Sequence, residues 1–324
     1  MMLYGAWLLA ENDLRRKYVH PIILERRNIS SPVAVCSLSR LGSADPLYTT
    51  APAPIFVHCR SAEFSPALKE KDFIQARRSD KEYIPAREYF LRLANRTISY
   101  LWASDAGANR LSPIGEDHLP NSPALLPGPL VILFSVFEEH FLEHQPLAHA
   151  LSLLRLRFSV GHERLGRAVE AAARETLIRA VSAMGRRLKP ALNAWFRDRA
   201  RAEGLPLIPG SLLDIEKTVR LLQFRYALDD ISLLDPSPVK ALSLMARKGC
   251  LEPEQRKILS RAYNWQWFIA NRLAFFGRRA ELNPKTMRSA SLDRMVGFSG
   301  ASVKTVSLLE SARALSRDLV RDLR

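Results

Sequence analysis

Carboxylates, histidines and arginines at short, regular spacings are the residues of this chain that could do chemistry. Glu70 and Asp72 stand at i, i+2 in Lys69-Glu70-Lys71-Asp72. On a strand that spacing puts both on one face, where they could hold a divalent cation. Lysines flank both acids, so a solvated charged turn is the better reading. His140 and His144 are spaced i, i+4, with Glu143 between them and His149 beyond, a spacing that on a helix can bind zinc. The His-Glu-x-x-His order is absent, and Glu138 and Glu139 offer ordinary surface pairing, so surface histidines are expected. No Walker loop, G-x-G-x-x-G or G-x-S-x-G occurs. Trp265 and Trp267 fall on a helical core pattern and are expected to pack rather than to stack on a ligand.

The elements that must position these residues divide the chain. The first 130 or so residues are irregular, with prolines clustered at Pro46, Pro52 and Pro54 and again from Pro113 to Pro129. Short β-like runs, Pro32 to Ser37 and Ile55 to His58, have strand length and turn-forming borders. Between Ala86 and Leu101, Phe90, Leu93, Ala94, Ile98 and Leu101 recur at helical steps. From about Leu130 onward almost everything reads helical. Arg164 to Leu188 is rich in helix formers. Ser211 caps a predicted helix running to about Tyr226, with Asp214 and Glu216 suited to the positive end of its dipole. Further helices are predicted over Val239 to Lys248, stopped by Gly249, and over Glu252 to Phe276 and Val303 to Leu323. Amphipathic helices on short connections make a bundle.

The formal charge of +15 attracts polyanions, whether nucleotides, nucleic acid or an acidic protein face; a solvated basic surface accounts for it equally well. No stretch combines dense Lys/Arg with interleaved aromatics, which argues against a nucleic-acid platform. Cys36, Cys59 and Cys250 are few, odd in number and unclustered, so neither a disulfide framework nor a zinc site is expected, and a reducing cytoplasm fits. The apolar N-terminus lacks a basic leader and a small-residue cleavage site, making a poor signal peptide. The apolar run Pro129 to Phe137 is too short to span a membrane.

Two stretches resemble the glutamine synthetase adenylyltransferase family. Gly128 to Gly161 is similar, without gaps, to a family segment in which a Gly-Pro start leads into a helix with a Phe-Glu pair (here Phe137-Glu138), then a Leu-x-Arg-x-Arg element (Arg155, Arg157), then a glycine. Ile208 to Ala227 resembles the family's Pro-Gly-Gly-Leu-Val-Asp-Ile-Glu element through Pro209, Gly210, Leu212, Asp214, Ile215 and Glu216, then Leu222, Gln223 and Ala227. The Asp-Ile-Glu form is that of the C-terminal, adenylylating half. Gly249 to Leu273 keeps the family's rhythm. A weaker match covers Val33 to Cys59, where Leu41-Gly42-Ser43 stands for the family's Leu-Gly-Ser turn.

The resemblance implies an α+β, predominantly α fold: an eroded nucleotidyltransferase-like domain over residues 1–162, then an all-helical bundle over 163–324. It implies ATP and Mg²⁺ as cofactors if the family activity is retained, and glutamine synthetase and a PII-type signalling protein as partners. Gly42, Ser43, Arg155 and Arg157 stand as a nucleotide-binding remnant, and Asp214 and Glu216 either orient a nucleotide-facing loop or simply serve the helix N-terminus. Adenylyl transfer needs divalent metal on paired carboxylates. At the family's spacing the Asp-x-Asp position falls on Ala51-Pro52-Ala53; alanine cannot ligate Mg²⁺, and Pro52 and Pro54 would disturb a paired central strand. The third family carboxylate falls on His118, with Asp117 beside it as the one catalytic candidate, and the acidic residue of a following helix is replaced in Ala148-His149-Ala150. Metal clamps supply several kcal/mol of transition-state stabilisation, and about 1.36 kcal/mol is tenfold in rate, so their loss abolishes practical turnover. The expected function is a nitrogen-regulation homologue with nucleotidyl transfer impaired or absent. The alternatives are an active nucleotidyltransferase with displaced carboxylates, or a non-catalytic basic binding module.

Overall fold

The computed structural model describes residues 2–17, 33–37, 54–59, 73–75, 83–103, 131–142, 150–203, 205–275, 291–296 and 299–321. The fold is α+β and predominantly α. It divides into two compact units: the described residues of Met1–Leu38, Pro52–His144 and Leu156–Ala173 form one, and those of Gln145–Arg155 and Arg174–Arg324 the other.

The first unit is a mixed four-stranded sheet with helices packed on it. Its strands are β1 (Val33–Ser37), β2 (Pro54–His58), β5 (Val131–Leu133) and β6 (Arg157–Gly161), in the order β5-β2-β1-β6. β1 is antiparallel to β2 and β6, and β2 is parallel to β5. Two further strands, β3 (Phe73–Gln75) and β4 (Tyr83–Pro85), make a separate antiparallel pair, and a short helix, α3 (Phe137–Leu142), follows β5 in the chain. The register lines up Val131, Phe56, Val35 and Val160 as one row across all four strands. That row belongs to a buried core with Ala6, Trp7, Ala10 and Leu14 of α1 (Met2–Lys17) and Tyr89, Phe90, Leu93, Ala94 and Ile98 of α2 (Ala86–Ala103). Trp7 stacks on Phe56 with ring centroids 6.4 Å apart. The opposite sheet face carries Cys36, which is paired with Phe158. Here the first turns of α4 (Glu163–Met184) come close: a Cβ on Gly166 would lie 2.1 Å from the Phe158 ring, and Glu170 Oε1 accepts the Phe158 N–H at 2.8 Å. Burial and the nearby Glu170 push the Cys36 thiol far up, so it is inert packing.

Three expectations need correction. The N-terminal segment, read only as apolar, is a helix whose buried face is Ala6, Trp7, Ala10 and Leu14. Val131–Leu133 and Arg157–Gly161 lie in the region read as helical, yet both are strands. A short apolar run cannot be told from a helical turn by its pattern; partner strands decide, and β1 supplies one through a bulge between Val35 and Cys36. Finally, β2 is a central strand despite Pro54. Proline is tolerated at a strand's first residue, and Pro54 sits there, opposite Ser37, while pairing to β5 begins only at Phe56. Pro52 lies outside the described residues.

The second unit is helical: α5 (Leu188–Glu203), α6 (Leu212–Ala227), α7 (Pro238–Arg247), α8 (Pro253–Phe275), α9 (Ser291–Val296) and α10 (Ala301–Arg321), with the second half of α4. α6 is the central element, in contact with α5, α7, α8 and α10. It is buried around most of its circumference, including the polar Glu216, Thr218, Arg220 and Gln223. A helix buried all round must satisfy every polar group it carries inside the protein.

Candidate functional site

The region with the densest functional chemistry is built around Glu216, in the second turn of α6. Its carboxylate is fully buried and meets three guanidinium groups. Arg155, from the 3-10 turn Leu151–Arg155, donates from Nη2 to Oε1 at 2.6 Å. Arg199, from α5, donates from Nη1 to Oε1 and from Nη2 to Oε2, both at 3.1 Å. This is the two-pronged geometry that makes Arg–carboxylate pairs strong and directional. Arg220, one turn further along α6, lies 3.7 Å from Oε1. All three arginines are at most 3% exposed.

Aromatic rings close the cluster. The Arg199 guanidinium lies 4.7 Å from the Trp195 ring centroid and 4.8 Å from that of Phe196, and Arg155 lies 5.9 Å from Trp195. Ring faces favour cations, most of all away from water. Arg220 also reads the backbone ahead of α7: Nη1 donates to Asp235 O at 3.0 Å and Nη2 to Pro236 O at 2.6 Å. Gln223 works beside it, accepting from Arg220 at 2.6 Å and donating to Leu233 O at 2.7 Å.

The turn entering α6 is equally specified. Ser211 Oγ accepts the Asp214 N–H at 3.4 Å, and Asp214 Oδ2 accepts the Gly210 N–H at 2.8 Å, a reciprocal cap of the capping-box kind. Gly210 has φ +82°, and a Cβ there would lie 2.2 Å from Leu309 O in α10. Its own carbonyl accepts from buried Gln266 of α8 at 2.7 Å. Only glycine fits.

The structure thus brings together Arg155 and Glu216, two residues singled out from separate motifs, and separates the roles of Asp214 and Glu216. Asp214 serves the helix N-terminus; Glu216 is the hub of the arginine cluster. Arg157 is exposed at the start of β6, opposite Ser37. Pro209 is exposed on the turn before Gly210. Gly42, Ser43, Ala51 to Ala53, Glu70, Asp72, Asp117, His118, Glu143, His144 and His149 lie outside the described residues. His140 lies edge-on to Phe141 at 5.2 Å. Arg199, Arg220 and Gln266 were not found from the sequence. Arg220 had a signal, its i+4 spacing from Glu216; Arg199 had none.

Chemically, the cluster holds a carboxylate by charge and donor geometry, and that carboxylate is committed to its guanidinium partners. Arginines set this way could equally cradle a phosphate, but the Glu216 carboxylate fills that position. The described strands of the sheet, VAVCS, PIFVH, VIL and RFSVG, carry no carboxylate, and no group of three His, Cys, Asp or Glu gathers among the described residues. No helix among them is long and apolar enough to cross a membrane. No protein-family model matches the chain, and the comparison with curated proteins yields no match.

Proposed function

We propose that this chain is a homologue of glutamine synthetase adenylyltransferase, acting in nitrogen regulation in the cytoplasm, with nucleotidyl transfer impaired or absent. The observation that carries the reading is the Arg155–Glu216 contact at 2.6 Å. It unites the Leu-x-Arg-x-Arg and Asp-Ile-Glu elements, the two stretches on which the resemblance rests, in one buried cluster. A sheet whose β1 leads into Leu41-Gly42-Ser43, and whose β2 follows Ala51-Pro52-Ala53, agrees with a nucleotidyltransferase-like arrangement. The alanines at the paired-carboxylate position support loss of Mg²⁺ and of turnover with it. Free thiols at Cys36, Cys59 and Cys250 fit a reducing compartment. Glutamine synthetase and a PII-type protein are the partners such a homologue retains.

Calorimetry with ATP and Mg²⁺ tests the catalytic half of the reading. The native chain is expected to show no Mg²⁺-dependent ATP binding, and Ala51→Asp/Ala53→Asp to gain it. Transfer of adenylate to glutamine synthetase by the native chain would overturn the proposal. Titration with glutamine synthetase and with PII tests the other half, which fails if neither binds.

A further inference from the structure

α8 and α10 together present a surface that neither helix shows alone. On α8, Arg261, Asn264, Phe268 and Arg272 are exposed and follow one another at helical steps along one face. Phe268 is 40% exposed and its ring lies 5.6 Å from that of Trp265, tilted by 30°. α10 brings Lys304 onto the same place, its Nζ 3.9 Å from the Trp265 ring centroid. The Trp265 indole N–H donates to Thr305 Oγ1 at 2.9 Å, which fixes the ring. Within Gln255 to Phe275 and Ala301 to Leu309 every charged residue is cationic; the carboxylate of Asp293 beside them is engaged by the Gly300 and Ser302 N–H groups that open α10.

We propose that this surface, formed by Trp265, Phe268, Lys304 and Arg261, docks an acidic protein segment bearing an apolar or aromatic anchor. Charge complementarity selects the sign. Cationic side chains around an apolar centre attract carboxylates at the rim, while the anchor is buried at the middle. Single-stranded nucleic acid is also acidic, but it binds by stacking bases on open ring faces. Here Lys304 covers a face of Trp265 and the indole N–H is already engaged, so the tryptophan is arranged as a floor rather than a stacking platform. Phe268 remains for an apolar side chain to rest on. The inference is independent of the family reading and of any nucleotide chemistry.

Fluorescence anisotropy on the full chain tests it with three labelled probes: a synthetic peptide alternating Glu with Leu and Phe, a poly-Glu peptide of equal length, and oligo-dT. The mixed peptide is expected to bind most tightly, with affinity falling as salt rises. Phe268→Ser and Lys304→Glu are each expected to weaken it by about tenfold, the scale of one lost anchor or one reversed rim charge. Arg261→Glu is a second charge reversal, which with Lys304→Glu carries the test should Phe268→Ser perturb folding by circular dichroism. Four results would overturn the proposal: no binding of the mixed peptide, unchanged binding in the charge reversals, poly-Glu binding equally well, or oligo-dT binding as tightly and responding to the same substitutions. The last would assign the surface to nucleic acid.

Discussion

Arg155 and Glu216 lie 61 residues apart in sequence and 2.6 Å apart in space, with side chains almost wholly removed from water. Isolated burial of either charge would be prohibitive, and together they are tolerated because the donor geometry is good and Arg199 fills the carboxylate's other oxygen. Removing one partner leaves the rest buried and unbalanced. Arg155→Ala and Glu216→Gln are therefore each expected to destabilise the helical unit by about 3–5 kcal/mol, read as a lowered urea midpoint. Arg155→Lys is expected to recover little, since an ammonium cannot reproduce the guanidinium's planar donor set. Midpoints within error of the native protein's would refute a hub role for Glu216.

Gly210 tests the turn that enters α6. Its positive φ and its approach to Leu309 O leave no room for a side chain. Gly210→Ala is expected to cost at least about 2 kcal/mol, from left-handed backbone strain plus displacement of α10. Thermal unfolding measures it. Gly249→Ala is the control: its φ is also positive, at +74°, but a Cβ there meets nothing within 4 Å, so it should cost only the strain.

His162 gives the first unit a pH dependence. Its Nδ1 accepts the Leu165 N–H at 3.1 Å, capping α4. Burial, opposed by a hydrogen bond to its own backbone and aided by Arg164, holds its pKa below the ordinary value of 6.5. The unfolded chain therefore takes up the proton first. Stability is complete above about pH 6.5 and falls as pH drops from there toward the lowered folded pKa. His162→Asn, which keeps a capping oxygen and cannot titrate, is expected to flatten melting temperature against pH between about 7 and 5. An unchanged slope would show that other groups set it.

Much of the helical architecture was legible in the sequence because its signals are local. Ser211 and Asp214 cap α6 as their spacing implies, α7 ends just before Gly249, and α2 follows the apolar steps of Phe90, Leu93, Ala94 and Ile98. β1 and β2 were likewise readable from length and borders. The alanines at positions 51 and 53 are a fact of composition that no fold can alter.

Tertiary structure decided the rest. Val131–Leu133 and Arg157–Gly161 became strands because β2 and β1 offered unpaired edges, and such pairing is long-range and leaves no mark on nearest neighbours. Asp214 and Glu216 look alike as acids near a helix start. Only the burial of α6 separates them, turning Asp214 to the cap and Glu216 inward, where a carboxylate must find cations. Lys304 over Trp265 joins two helices through a contact that neither helix's own sequence marks. Periodicity and capping are set by interactions within a turn or two of chain, so the sequence by itself determined them. Which buried charge meets which partner depends on how the helices pack, and that the tertiary structure alone decided.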